Sequence, residues 1–274
     1  EVPEELRKYY EMLFSEKRTC PHARADIVRR LRQKRITAVS AAEMDRTIED
    51  EEVQKVMEKL PTGKQAGPNR VPNAVYRCLA CHFAPKLAQV LREAIQGAPL
   101  PPSMLEGDIS LLYKKKDRLD VRNYRPLTML NTDYKIYTKV LANRLKTVVH
   151  QFVSEAQKGF VPDTFIAECS TLLNLIEAWI NEEPEDRKGM FLFLDMEKAF
   201  DRCSWEFLMA GLEDLGFGDG FKRYIELFYS HDHPPTRRIT VNGRMGEQFE
   251  LGSGVAQGCP CSPLLFLVIT EALT

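Results

Sequence analysis

The stretch FLFLDMEKAFD, residues 191–201, constrains this chain more than any other. Together with Met190 it reads as a short apolar strand, Met190 to Leu194, with Asp195 as its last residue. A carboxylate at the tip of a buried strand is costly unless something positive sits beside it. A divalent cation is one candidate, because Mg2+ takes oxygen ligands and keeps substrate phosphates in its shell. The alternative is that Asp195 only caps the turn that follows.

Two other stretches pose a similar choice. GVAQGCPCSP, 254–263, has glycines on both sides of Gln257, and glycine lets a backbone approach a ligand closely. It is otherwise a strained loop, followed by Ser262 and Pro263 as cap and first-turn pair of a terminal helix. LLYKKKD, 111–117, with NYRPL, 123–127, places cations on a turn between two strands, where they can meet a triphosphate or simply face water.

The formal net charge of -1 hides an uneven distribution. Lys17 to Arg35 holds eight basic residues against Asp26, and Ile109 to Lys146 holds ten against Asp117, Asp120 and Asp133. Between them, Glu43 to Glu58 carries seven acids against Arg46 and Lys55. Each basic block is either a nucleic-acid surface or a solvated helix face.

Periodicity predicts helices over most of residues 1 to 60, including one carrying Leu6, Tyr9, Tyr10 and Leu13. A loop at LPTGKQAGPNRVP, 60–72, is followed by a helix from about Ala74 to Gln96 and a break at APLPPS, 98–103. Strands are expected at Ile109 to Tyr113 and along RPLTMLN. Asn131 or Asp133 caps a helix whose apolar face holds Tyr137, Val140, Leu141, Leu145, Val148 and Phe152. A second helix carries Ile166, Cys169, Leu172, Leu173, Ile176 and Ile180, ahead of a charged loop from Glu182 to Lys188. Ser204 caps a helix stopped at Gly216, another runs near Phe221 to Tyr229, and the Asn242-Gly243 turn joins a hairpin.

In this order the stretches resemble the reverse transcriptase domain of LINE-type, non-LTR retrotransposons. TGKQAGPNRVP resembles that family's opening loop, and LLYKKKDRLDVRNYRPLTMLNTDYKIYTKVLANRL its fingers block. QKGFVPDT, FLFLDMEKAFD and GVAQGCPCSP resemble the blocks that follow, and YYEMLFSE resembles the leader between endonuclease and polymerase. The resemblance implies a right-hand polymerase fold of the α/β (α+β) class. The expected parts are a helical leader at 1–60, fingers at 61–190 and an incomplete palm at 191–274.

It also implies site roles. Asp195 would hold two catalytic Mg2+ ions, with the main-chain carbonyl of Met196 as a further ligand. Phe200 matches the bulky residue under the incoming sugar, which favours deoxynucleotides by shape. Lys114 or Lys115, with Arg125, matches the triphosphate clamp, and Gln257 and Gly258 match the loop that contacts nucleotide and template. Lys135, Lys139, Arg144 and Lys146 would track nucleic-acid backbone. Asp201 is expected to cap the next helix. The implied partners are an RNA template, a DNA primer and deoxynucleoside triphosphates, with no membrane. The implied location is the nucleus or a cytoplasmic ribonucleoprotein.

Some positions depart from the pattern. Asn69 and Arg70 stand where the family shows an acidic residue and Gly, Ala256 where it shows a basic residue, and Cys261 where it shows Leu. The family's second metal motif, an aspartate pair, is missing, since no Asp follows Asp232. The expectation is a fragment of an RNA-directed DNA polymerase that does not extend a primer by itself. The alternatives are a non-catalytic RNA-binding remnant or a group II intron type of reverse transcriptase. Seven cysteines without an export signal are read as reduced thiols, so CLACH, 78–82, is attributed to helix-core cysteines rather than haem or zinc. HDHPP, 231–235, is read as a polar turn.

Overall fold

The spacing of Leu6, Tyr9, Tyr10 and Leu13 is realised as α1 (Val2–Phe14), which buries Tyr10, Leu13 and Phe14. The computed structural model describes residues 2–16, 20–182 and 189–273. Lys17 and Arg18 of the first basic block, and the charged loop after Glu182, therefore lie outside the described residues. α2 (Pro21–Val28) opens on a proline and continues into a 3-10 turn at Arg29–Lys34. α3 (Ala38–Asp45) is capped by Thr37, whose hydroxyl accepts from the Ser40 amide. α4 (Asp50–Glu58) opens on a capping box in which the Glu49 amide donates to the Glu52 carboxylate.

The single helix expected from Ala74 to Gln96 is two: α5 (Asn73–Cys78) and α6 (Ala80–Ile95), interrupted at Leu79. Cys78 and Cys81 are exposed rather than in a helix core, because the buried stripe of α6 is built from Ala80, Ala84, Ala88 and Leu91. The loop before α5 keeps its turn without the expected glycine. Arg70 adopts φ 59 itself, while the Asn69 side chain accepts from the Val71 amide at 3.0 Å.

α7 (Pro102–Leu105) leads into β1 (Glu106–Tyr113), which pairs antiparallel with β2 (Tyr124–Leu130). The sheet order is β2-β1-β3-β4, with β3 (Thr236–Val241) parallel to β1 and antiparallel to β4 (Arg244–Glu250). Asn242 and Gly243 both have positive φ, as a two-residue hairpin turn requires. The β1–β3 pairing crosses the boundary expected at residue 190, so residues on both sides of it share one sheet. α1 is tied in as well, since the Gly252 amide donates to the Phe14 carbonyl at 2.8 Å and Tyr10 joins the common core.

α8 (Thr132–Phe152) runs through the middle of that core. All six residues of its expected apolar face are buried, and so are Tyr134, Ile136, Ala142 and Val149 on its other sides. Asn131 precedes the helix without capping it by side chain. Its carboxamide instead accepts from the Asn69 amide and donates to the Ser103 carbonyl.

α9 (Ala167–Glu182) forms as the pattern predicts, yet none of its residues is buried. The strand expected at Met190 to Leu194 does not form. Those residues pair with no other segment among the described residues and are exposed, Leu194 to 84%. A strand exists only when its amides and carbonyls find a neighbour, and among the described residues none lies alongside. The burial cost anticipated for Asp195 is therefore absent here.

α10 (Trp205–Asp214) is capped by Ser204 and ends at Gly216, whose φ is 86. α11 (Asp219–Glu226) follows. In α12 (Ser262–Glu271) the residue before the first turn is Cys261, and Ser262 is already helical, its hydroxyl 3.4 Å from that of Tyr229. The described part of the first basic block joins α2 to the helices beneath it. Arg24 pairs with Glu206, Arg32 with Asp214 at 2.9 Å and Lys34 with Glu271 at 2.7 Å. These three cations hold the helices to one another, while Lys114, Lys115 and Arg125 of the second block line a cavity.

Candidate active site

The tip of the β1–β2 hairpin, the turn after Asp195 and the Gln257 loop enclose a cavity of about 1120 Å³. Lys114, Lys115, Arg125, Asp195, Met196, Phe200, Gln257 and Gly258 all line it. They come from three segments widely separated in sequence.

The hairpin wall is set by strand register. Arg125 lies opposite Leu112, the Lys114 amide donates to the Asn123 carbonyl at 3.0 Å, and Lys116 turns the chain with φ 73. Beside them Arg122 is engaged by Asp120 at 2.8 Å, and Arg118 lies over the Tyr113 ring at 5.0 Å. Lys114, Lys115 and Arg125 have no acidic partner among the described residues, so their charge faces the cavity. Such a cluster suits an anion with several oxygens.

The floor is a short 3-10 turn, Phe200–Arg202. Phe200 stacks on Phe266 of α12, with ring centroids 4.8 Å apart, and meets the edge of Phe160 at 6.0 Å. Rings packed this way hold one another in place, so Phe200 presents a fixed bulk to the cavity. Lys198 reaches back to the β2 strand and donates to the Tyr124 carbonyl at 2.9 Å. Burial pushes its ammonium below the ordinary lysine range.

The third wall is stitched to the other two through main chain. The Thr128 amide of β2 donates to the Gln257 carbonyl at 3.0 Å, and the Val255 amide to the Phe200 carbonyl at 2.8 Å. Gly258 has φ 120, and a Cβ there would stand 2.7 Å from the Thr128 carbonyl oxygen, so only glycine fits. Gly254 is equally confined, with φ 90 and the Asp201 carbonyl oxygen 2.8 Å from where a Cβ would be.

Asp201 does not cap α10, because Ser204 does. The Asp201 side chain points inward instead, is 1% exposed, and accepts from Gln257 Nε2 at 3.0 Å. Burial pushes its carboxyl up to about 6, against the pull of Lys198 and the Gln257 bond.

Asp195 itself is exposed on the cavity wall. Among the described residues no three His, Cys, Asp or Glu side chains come together as a metal cluster. Of the five acids that line the cavity, Asp120 is paired with Arg122, Glu197 with Arg202, Asp117 accepts from the Leu119 amide and Asp201 from Gln257. That leaves the Asp195 carboxylate, with the neighbouring Met196 carbonyl, as donors that fit part of a Mg2+ shell and not a complete two-ion site.

The residues assigned to nucleic-acid backbone lie away from the cavity on α8. Lys135 and Lys139 are half-buried, and burial lowers the pKa of both; Lys146 is exposed. Arg144 is internal. Its guanidinium, 8% exposed, donates to the carbonyls of Met44, Arg46 and Thr47 and pairs with Glu52 at 2.6 Å. Lys198, Asp201, Phe160 and Phe266 were not assigned to the site from sequence. Lys198 and Asp201 sit inside the opening motif, but only folding shows which way they turn.

The chain is similar to known proteins over most of its length. The profile of the family described as "Reverse transcriptase (RNA-dependent DNA polymerase)" matches residues 113–274. The transposon TX1 uncharacterized 149 kDa protein of Xenopus laevis is 28% identical over 98% of this chain and 20% of its own length. A retrovirus-related Pol polyprotein from the type-1 retrotransposable element R2 of Popillia japonica is 31% identical over 60% of this chain and 22% of its own. The RNA-directed DNA polymerase from mobile element jockey of Drosophila melanogaster is 26% identical over 81% of this chain and 24% of its own. The chain therefore spans about a fifth to a quarter of these relatives. No described helix is long and apolar enough to cross a membrane. With well over half of its length matched to that profile, the chain belongs to the reverse transcriptase (RNA-dependent DNA polymerase) family.

Proposed function

We propose that this chain is the fingers and part of the palm of the RNA-directed DNA polymerase of a non-LTR retrotransposon. The observation that carries the reading is the cavity itself. Unpaired cations from one segment, a carboxylate and an aromatic floor from a second, and a Gln-Gly loop from a third converge on one space. Lys114, Lys115 and Arg125 bind the triphosphate of an incoming deoxynucleotide. Phe200, held by Phe266 and Phe160, excludes a 2'-hydroxyl by shape. Gln257 and Gly258 contact the nucleotide and the RNA template, and Lys135, Lys139 and Lys146 contact nucleic-acid backbone; Arg144 has no part in this.

Asp195 and the Met196 carbonyl would hold Mg2+, which supplies charge neutralisation of the transferring phosphoryl group and activation of the primer hydroxyl. The aspartate pair of the second metal motif is not in this sequence, so the chain alone binds nucleotide without extending a primer. The test is made on purified 1–274 with a primed RNA template and Mg2+, measuring primer extension and deoxynucleoside triphosphate binding side by side. Binding without extension is expected. Incorporation would refute the division of the metal site proposed here, and no binding would refute the polymerase reading.

A further inference from the structure

Asp201 is the one carboxylate of the cavity that is buried, and it makes one side-chain hydrogen bond. Its Oδ1 accepts from Gln257 Nε2 at 3.0 Å, while Oδ2 is buried without a partner among the described residues. A buried carboxylate with half of its acceptors unused is a poor way to stabilise a turn, because an unsatisfied buried acceptor is destabilising. The turn has better fastenings. The Asp201 amide donates to the Lys198 carbonyl, the Gly254 amide to the Cys203 carbonyl, the Val255 amide to the Phe200 carbonyl, and Trp205 Nε1 to the Gly254 carbonyl. These bonds place the backbone of the Gln257 loop without any help from the Asp201 side chain. What they leave undetermined is the rotation of the Gln257 carboxamide, whose backbone carbonyl is fixed by Thr128 but whose side chain has no other hydrogen bond among the described residues.

We infer that Asp201 is a positioning residue that locks the Gln257 carboxamide in one orientation, leaving its Oε1 and second N–H for a ligand in the cavity. Glutamine offers one acceptor and two donors, so fixing one donor on Asp201 decides what the others present. The same turn carries Phe200, so the sugar floor and the amide are set by one rigid piece. The consequence for nucleotide binding rests on the function proposed above; the lock itself does not.

The test has two arms on the chain 1–274. In the ligand-free protein, NMR of the Gln257 side-chain amide should show a dispersed, slowly exchanging pair of protons and a single χ rotamer. Both should be lost in Asp201→Ala and largely kept in Asp201→Asn, which still offers an acceptor. An averaged Gln257 side chain in the wild type would overturn the inference. In the second arm, affinity for a deoxynucleoside triphosphate with Mg2+ is measured for Asp201→Ala, Gln257→Ala and the double variant. A loss of about tenfold in each single variant and none further in the double is expected. An additive loss in the double would mean that Asp201 acts independently of Gln257, and would also overturn the inference. Absence of nucleotide binding by the wild type would refute the reading of the cavity, while the first arm still decides the lock.

Discussion

α8 and α9 both carry an apolar stripe at helical spacing, and they end in opposite environments. α8 is enclosed on nearly every side, down to the guanidinium of Arg144, while α9 leaves Leu172, Leu175 and Trp179 more than half exposed. The segment after α9 repeats the contrast at finer scale. Within FLFLDMEKAFD, Asp195 is exposed after an apolar run that has no sheet partner, and Asp201, six residues on, is buried. An apolar stripe declares that a surface gains by being covered. Whether it is covered depends on which other elements reach it: among the described residues α8 is reached by α3, α4, α7 and α12, and α9 by very little.

Arg144→Ala is the most severe test of this contrast. It strands three carbonyls inside the protein and leaves the half-exposed Glu52 carboxylate unpaired, and should destabilise the chain by about 3 kcal/mol in urea unfolding. A change under 1 kcal/mol would mean that α8 is not held as described.

The buried aspartate of this contrast should show itself in the dependence of stability on pH. Burial raises the Asp201 pKa from the ordinary 3.8 to about 6, so the folded state holds that proton more tightly than the unfolded state. Its contribution is complete below about pH 4 and is lost as pH rises through about 6, roughly 3 kcal/mol in all. Relative to Asp201→Asn, the wild type should lose that stability between pH 4 and pH 7. A wild-type curve parallel to that of Asp201→Asn would show that Asp201 is not buried in solution.

A smaller effect is expected at Arg70, which holds a left-handed backbone at φ 59. Arg70→Gly relieves that strain and should raise the unfolding free energy by up to about 1 kcal/mol. Smallest of all, Leu175→Ala on the exposed face of α9 should change stability by less than about 0.5 kcal/mol. A loss of the size seen for buried leucines, about 2–5 kcal/mol, would show that α9 is covered in solution. The tryptophans offer an optical check, since Trp179 should be quenched by iodide and Trp205, 3% exposed, should not.

Much of the fold could be read in advance where the signal is local. The Asn242-Gly243 turn, the Ser204 cap, the apolar face of α8 and the β1–β2 strands follow from chemistry within a few residues. The site residues were legible as three motifs, although nothing in the motifs themselves shows that they meet. What failed was each expectation that needed a neighbour. The strand at Met190 to Leu194 needed a partner strand, the cysteines of CLACH needed a core face, and Arg144 and the block at Arg24 to Arg35 looked free until acids and carbonyls from distant segments were seen beside them.

The sequence by itself determined where the helices and hairpins form, because caps, turns and apolar periodicity act over a few residues, and it marked the motifs of a polymerase. Tertiary structure alone decided which charges are spare and which are satisfied. Lys114, Lys115 and Arg125 remain available, while Arg144, Arg24 and Asp201 are engaged. The reason is physical: a charge is defined by what lies within a few ångströms of it, and here those partners are brought in from far along the chain.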